Sequence, residues 1–271
     1  MELSGDALMF LEKEQITRQC KKMGEYSSLK ALQVLSALSH ATSSASITEL
    51  SEVTGLSAST IHRILQELVE TGYALKNEER KYYLGFEAMA FGMRMKTSDY
   101  LLKAAQEEMR RLNDLSRETI HLIALDNYQG IYIGKLDAQN QVGLRSQIGW
   151  NLPLYCTGGG KAILANQTEE WLQTYLMNEP RKRFTDNTFV EAGPLSRELE
   201  RVRTRGYSLD NREHHTDVVC VAAPIFSAEG KALCAIGISA PDYRFPIEKA
   251  VSFAEEVMTS AAAVTARIQQ K

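Results

Sequence analysis

Ser59, His62, Arg63 and Gln66 share one side of a stretch whose other side is apolar, and all can hydrogen-bond to base edges or phosphates in a DNA major groove. That chemistry is reading rather than bond breaking. A second group lies further along the chain. Gly158-Gly159-Gly160 directly precede a helical run, so their backbone N–H groups and the helix dipole make a ready anion site, with a carboxylate as the natural guest. The string GGGK lacks the GxxxxGK[ST] spacing of a nucleotide P-loop, and glycines before a helix commonly do no more than cap it. A third group, His214, His215, Asp217 and Cys220, places metal-capable side chains close together. His-His-x-Asp is not a recognised ligand spacing, and adjacent residues of a strand face opposite ways. Cys220 sits in the apolar run VVCVAAPIF, where a thiol more often behaves as a small buried hydrophobe than as a nucleophile. The expectation is no metal, no cofactor and no catalytic residue. Lys161 reads as a solvated helix residue, and Trp150, Trp171 and the tyrosines read as core or interface.

The elements that must position the first group are legible in residues 47–72, ITELSEVTGLSASTIHRILQELVETG. Thr48 can cap a first helix, with Glu49 and Glu52 in its opening turns, and Gly55 closes it. Ser57 can cap a second helix, in which Ile61, Ile64, Leu65 and Leu68 fall at i, i+3, i+4 and i+7 and make the buried stripe. Gly72 ends that helix. Residues 73–76 and 81–84 follow as two short strands around the tip Asn77-Glu78-Glu79-Arg80, a hairpin of the kind called a wing. The expected DNA contacts are Ser57, Ser59, Thr60, His62, Arg63 and Gln66 on the helix, with Arg80 and Lys81 on the wing. The bland alternative is a helical domain with a solvated polar face. Charge is balanced here: between residues 26 and 97 seven Lys and Arg stand against seven Asp and Glu. DNA-binding modules are usually basic, so one copy should bind weakly through phosphates alone, and affinity should come from several copies reading several half-sites.

The remaining elements follow from punctuation and period. A first helix spans 28–38, and the small apolar run FEAMAFGMRM (86–95) suggests a linker helix. Asp99 caps a long helix to residue 115. Strands are expected over 119–125, 131–136 and 142–148, and helices from 158, over 168–177 and over 194–205, the last closed by Gly206. Strands resume at 207–210, 218–226 and 232–239, before a single terminal helix from Pro246 to about residue 269. Hairpin-joined strand pairs with helices between them describe an α+β domain on a mainly antiparallel sheet.

Composition bounds the class. A chain of 271 residues with 44% hydrophobic content supports two domains, and a formal charge of −3 favours neither a membrane surface nor bulk nucleic-acid binding. No apolar run approaches the ~18 residues of a membrane span. Residues 1–25 have no basic leader before their apolar cluster and read as a helical arm or a partly disordered segment rather than a signal peptide. Cys20, Cys156, Cys220 and Cys234 show no CxxC spacing and look like reduced thiols of a cytoplasmic protein.

Taken together, the winged helix-turn-helix, LPLYCTGGGKAILA (152–165), GYSLDNREH (206–214) and CVAAPIFSAEGKALCAIGIS (220–239) resemble the IclR family of bacterial transcription regulators. The resemblance covers nearly all of residues 29–269 in the expected order. ETIHLIALD and IYIGKLD within 118–137, with LRSQIG (144–149), are most similar to its sugar-acid branch, the one that includes the 2-keto-3-deoxygluconate regulator. The resemblance implies a winged-helix domain before a GAF-like, profilin-like effector domain, assembled as a dimer of dimers on palindromic operators. It also implies that the backbone amides of Gly158 and Gly159 hold a small organic acid, that Asp210, Cys220 and Ser239 contact it, and that Leu152 and Val218 form apolar wall. Two departures stand out. Gly237 replaces a serine found in many members, which removes a hydroxyl and leaves more room, and His215, Thr216 and Asp217 replace a Leu-Gly-type sequence. Both suggest an effector larger or more polar than a two- or three-carbon acid.

The expected organisation is an arm (1–25), a winged helix-turn-helix domain (26–85), a linker helix (86–98) and an effector-binding domain (99–271). The expected function is that of a cytoplasmic repressor, not an enzyme, binding double-stranded operator DNA, a small carboxylate or sugar acid, and further copies of itself. Two other classes compete. One is a GAF-like-domain enzyme using Cys220 or Cys156 as a nucleophile, against which no general base is clearly paired with either thiol. The other is an architectural DNA-binding protein with a plain dimerisation domain, against which stands the glycine turn.

Overall fold

In a computed structural model of the chain, residues 29–41, 43–93, 96–140 and 143–270 are described. The arm expected over residues 1–25, with Cys20, lies outside them. The chain divides into two compact units, Met1–Met95 and Lys96–Lys271.

The first unit runs α1 (Lys30–Ser39), α2 (Ile47–Thr54), α3 (Ala58–Glu70), β1 (Ala74–Lys76), β2 (Tyr82–Leu84) and α4 (Phe86–Met93). The cap of α2 is Ser46 rather than the expected Thr48. Ser46 has extended backbone at φ −81° and ψ 163°, and its hydroxyl accepts from the Glu49 N–H while the Glu49 carboxylate accepts from the Ser46 N–H at 2.7 Å. A serine followed three residues later by Glu satisfies two end donors reciprocally, which a threonine already inside the helix cannot do. Gly55 then takes φ +72° to close α2, and Ser57 caps α3 by accepting from the Thr60 N–H at 3.3 Å. Ile61, Ile64, Leu65 and Leu68 of α3 are buried with Val34, Leu38 and Leu50, the helical stripe expected from their spacing. β1 and β2 pair antiparallel, Ala74 opposite Leu84, and Ala45 bridges to Tyr82. On α4, Phe86 and Phe91 are 72% and 69% exposed, so its aromatic face is not used by this unit's own core.

The second unit opens with α5 (Lys96–Ser116), which begins ahead of the expected cap at Asp99. β3 (Thr119–Asp126), β4 (Gln129–Leu136), β5 (Asn151–Pro153), α6 (Gly158–Leu164), α7 (Glu169–Asn178) and α8 (Ala192–Arg205) follow. β6 (Ser208–Asn211), β7 (Val218–Phe226), β8 (Ala232–Pro241), α9 (Ile247–Ser252) and α10 (Ala254–Gln269) complete it. The strands form one antiparallel sheet in the order β5-β4-β3-β8-β7-β6. Alternation along the strands separates two faces. Ile120, Leu122, Val219, Val221, Ile236 and Ile238 pack against Met109 and Leu112 of α5 and Val257 and Val264 of α10. Ile123, Ala222 and Ala235 face the other way, with Ala162 and Ile163 of α6 and with Leu152.

Two expectations about this unit fail for local reasons. The strand expected over 142–148 is absent from residues 143–148, where the Lys135 ammonium donates to the carbonyls of Leu144 and Ser146 at 2.8 and 2.6 Å. A side chain takes the acceptors that a ladder would have used, and pairing starts only at β5. The single terminal helix is broken at Phe253, whose N–H reaches back to the Ala250 carbonyl at 3.2 Å and whose ring packs 5.8 Å from Phe245. The capping geometry of α2 sets a first test. Replacing Ser46 with alanine removes one end of the reciprocal pair and should cost the N-terminal unit about 1 kcal/mol, read by denaturant titration, whereas Thr48→Ala should cost less. Equal losses would return the cap to Thr48.

Candidate functional site

Most of the expected DNA-reading residues of the first unit are open to solvent. Ser57, Ser59, His62, Arg63 and Gln66 are exposed and Thr60 is half-buried. The hydroxyl of Ser57 lies 3.1 Å from that of Ser59 and 2.9 Å from that of Thr60, so the start of α3 presents a knot of hydroxyl groups. Arg63 donates to the Glu67 carboxylate at 2.7 Å, one turn on. Both partners are exposed, and such a pair contributes at most about 1 kcal/mol, so a phosphate or a base edge can displace it. At the wing tip Arg80 is exposed with φ +62°, and the half-buried Lys81 has its N–H tied to Asn77 Oδ1 at 2.8 Å.

In the second unit the site is built by sheet register. Asp210 of β6 pairs with Cys220 of β7, Cys220 with Ser239 of β8, and Ser239 with Thr119 of β3. Directly paired residues project on the same face, so these side chains form a polar row across neighbouring strands. α6 is seated on that face. A Cβ on Gly158 would stand 3.0 Å from the Cys220 Cβ, and one on Gly159 would collide with the Ile123 side chain, so only glycine brings this backbone so near the sheet. Ser208 donates its hydroxyl to the Gly158 carbonyl and anchors the turn. Thr157, at the N-cap of α6, makes no capping bond and donates instead to the Pro153 carbonyl at 2.7 Å. The structure thus gathers Gly158, Gly159, Asp210, Cys220 and Ser239. Val218 lies on the same strand face as Cys220, at the start of β7, whereas Leu152 packs in the apolar cluster of Ile123 and Ile163.

Several residues of this region carry roles that the sequence reading missed. Lys161 is not solvated: it is fully buried, ion-paired with the buried carboxylate of Glu213, and 5.1 Å from the centre of the Phe189 ring. One turn of α6 faces the protein on all sides, so GGGK continues inward. Asp210 is buried beside this pair and accepts from the Glu213 N–H at 2.7 Å. One buried cation serves two buried carboxyl groups. Burial, and then the Glu213 charge, push Asp210 up to about 8, so its carboxyl keeps its proton at neutral pH. His121 is buried on the same face, its ring nitrogens 3.1 Å from Ser239 Oγ and 2.7 Å from Ser146 Oγ, and its ring 4.5 Å from that of Tyr132. The signal for it was available: Thr119, His121 and Ile123 alternate with the apolar Ile120 and Leu122. Gly237 sits opposite His121 in the ladder, yet it opens no space. A Cβ there would lie 2.7 Å from both the Ala222 Cβ and the Val221 carbonyl, so the missing side chain lets β7 and β8 close up.

The metal-capable group does not converge. His214 and His215 stack edge to face with ring centres 4.3 Å apart, Asp217 is exposed, and Cys220 points its thiol at Asp210 over 3.9 Å. Burial, then the nearby Asp210, hold the thiols of Cys156 and Cys220 well above their usual range, the reverse of an activated nucleophile.

Two measurements test these electrostatics. Burial, then Lys135, lower the His121 imidazole to about 3. The unfolded chain takes up its proton near 6.5 and the native one does not, so stability should fall as pH drops through that window, by about 2 kcal/mol from this group at pH 5. Denaturant titration from pH 7.5 to 5 should show the loss, and His121→Phe should reduce it, leaving the share of His214 and His215, which burial also lowers; an unchanged slope would refute the assignment. Lys161→Met leaves the buried Glu213 carboxylate without its partner and should cost about 3–5 kcal/mol. Adding Glu213→Gln should restore part of that stability, whereas additive losses would mean the pair is not coupled.

Residues 93–266 match the profile of the bacterial transcriptional regulator IclR C-terminal domain, and residues 27–78 match that of the IclR helix-turn-helix domain. The HTH-type transcriptional regulator KdgR of Escherichia coli K12 is 34% identical over 82% of this chain and 85% of its own length. The transcriptional repressor IclR of the same organism is 30% identical over 89% and 90%. Among solved structures, Thermotoga maritima IclR superposes with a TM-score of 0.71 at 28% identity, over 88% of this chain and 97% of that one. An IclR homologue from Microbacterium hydrocarbonoxydans, complexed with 4-hydroxybenzoate, shares the fold at a TM-score of 0.77 and 20% identity, over 89% and 98%. The chain therefore belongs to the IclR family of bacterial transcriptional regulators, with a DNA-binding helix-turn-helix ahead of the family's C-terminal domain.

Proposed function

We propose that this regulator is a cytoplasmic repressor that holds a palindromic operator as a homodimer, assembled further as a dimer of dimers, and that a small monocarboxylate sets its DNA affinity. Ser57, Ser59, Thr60, His62, Arg63 and Gln66 read the groove, and Arg80 and Lys81 take phosphates. Residues 26–85 form the DNA-binding domain, 86–98 the linker helix and 99–271 the effector domain. The balanced charge of residues 26–97 favours paired half-sites, and the exposed Phe86 and Phe91 offer apolar surface for a second copy. It is not an enzyme on this reading, because the thiols that could attack a substrate are held protonated.

The observation that carries the effector assignment is the polar row of Asp210, Cys220 and Ser239 beneath a helix start that only glycines allow so close. The amides of Gly158 and Gly159 suit one carboxylate, with Leu152 and Val218 as apolar wall. Around it the groups are neutral: Asp210 keeps its proton and Lys161 is committed to Glu213. With Lys161 already matched, a monoacid bearing hydroxyls, such as a sugar acid, fits better than a dicarboxylate. Relatives at 34% and 30% identity are a regulator and a repressor by name, which supports repression here.

Two experiments separate the two halves of the proposal. Arg63→Ala should weaken operator binding by about 1–3 kcal/mol if the guanidinium reads a guanine edge, with little change on scrambled duplex. An equal loss on both would make it a phosphate contact, and no loss on either would mean that another face reads DNA. Ser239→Ala should keep operator binding while the acid that releases wild-type protein becomes less effective; an unaltered response would move the effector elsewhere.

A further inference from the structure

We infer that the effector site extends past Ser239 onto β3 and β4, where Thr119, His121 and Ser146 form a neutral subsite for the hydroxyl groups at the far end of a polyhydroxylated acid. This rests on the effector reading above and names the part of the site that would select chain length. The placement is set by register. Thr119 pairs with Ser239, so its side chain joins the face that carries Cys220 and Asp210. Thr119 is fully buried, and its hydroxyl has no hydrogen-bond partner among the described residues. A buried hydroxyl left without a partner is costly, and a ligand hydroxyl arriving along the row would supply one.

The neighbouring groups are of the same chemical kind. His121 holds Ser239 by one ring nitrogen and Ser146 by the other, and Tyr132 packs against its ring. Lys135, the nearby cation, is spent on Asp137 at 2.8 Å and on the carbonyls of Leu144 and Ser146, which keeps Ser146 over the imidazole. The Lys135 charge is thus already matched, and hydroxyls and an imidazole exchange hydrogen bonds readily with ligand hydroxyls. Cys220, Tyr132 and Ser146 remain half-buried beside the buried Thr119, His121 and Ser239. Distance decides the class. Strands lie about 4.8 Å apart, so from Cys220, next to Gly158, to Thr119 is about 10 Å at the backbone. A two- or three-carbon acid held at Gly158 and Gly159 ends short of Thr119, whereas a five- or six-carbon chain spans the row.

The test is titration calorimetry on the full-length protein with pyruvate, hexanoate and a panel of five- and six-carbon aldonic acids. Wild type should bind at least one aldonic acid more tightly than either hexanoate or pyruvate. Thr119→Val, near-isosteric, should lower the ratio of aldonic-acid to pyruvate affinity about tenfold, as expected for one lost hydrogen bond to a buried group. His121→Phe should lower the same ratio, and Thr119→Ser, which keeps the hydroxyl, should retain it; thermal melts establish that each variant is folded. A ratio unchanged in both Thr119→Val and His121→Phe overturns the subsite while leaving the carboxylate site standing. Preference of the wild type for pyruvate or hexanoate over every aldonic acid overturns it as well. Binding of no acid at all sinks the effector reading, and the subsite with it.

Discussion

A single buried cation organises the C-terminal unit. Lys161 pairs with Glu213 in surroundings that exclude water from both partners, and the pair ties the first turn of α6 to the connection that follows β6. Desolvating two charges costs several kcal/mol each, which the attraction offsets only when geometry is held firmly. The surroundings hold it: Ser208 fastens the Gly158 carbonyl, Thr188 donates to the Glu213 carbonyl at 2.6 Å, and the Glu213 N–H is fixed by Asp210. Such a pair is a poor source of net stability and a strong determinant of position. What it positions is the backbone of Gly158 and Gly159 over the sheet, closer than any side chain would permit.

The same pair settles the character of Asp210. A carboxyl group reading the end of a ligand is ordinarily taken for an anion that accepts from hydroxyls and repels acids. Here the neighbouring cation, Lys161, is already matched, and a second buried negative charge would stand against Glu213 as well as against desolvation. The proton stays on. A neutral carboxyl can donate to a ligand oxygen or accept from a ligand hydroxyl, which adds a donor to the amides of α6 rather than opposing the guest they suit.

How much of this was legible in the sequence depends on the range of the interactions. The helix α3 was, because its apolar stripe and its start at Ser57 are local signals with one physical meaning each. The cap of α2 was displaced by two residues because Thr48 and Ser46 both have capping chemistry, and only backbone dihedrals distinguish them. In the second unit the strands were visible by period, and Gly158, Asp210, Cys220 and Ser239 were named from the family resemblance. Their convergence was not visible, since it depends on which strands pair and in what register. Lys161 was misread because a lysine after three glycines looks solvated until Glu213, 52 positions on, is placed beside it. His121 was overlooked although its alternation with Ile120 and Leu122 already turned it away from the apolar face.

Balanced charge over residues 26–97 and satisfied hydrogen bonds in the second unit together limit how the proposed switch can work. With phosphate attraction weak, affinity on the proposed assembly comes from two recognition helices engaged at once, and the second engagement depends on an effective concentration that collapses when spacing is wrong. An effector therefore needs no contact with DNA. It has only to bind one arrangement of the copies better than another, and about 1.4 kcal/mol of difference shifts their ratio tenfold. That difference cannot come from groups already bonded to each other. His121 between two serines gains from a ligand only the surplus over the bonds it gives up. Among the described residues Asn211 Oδ1, the Thr119 hydroxyl and the second Glu213 oxygen are left without partners, and of these Thr119 and Glu213 are the buried residues. Both are buried at the site, so the free energy available to a ligand is concentrated where the fold leaves its polar atoms unsatisfied.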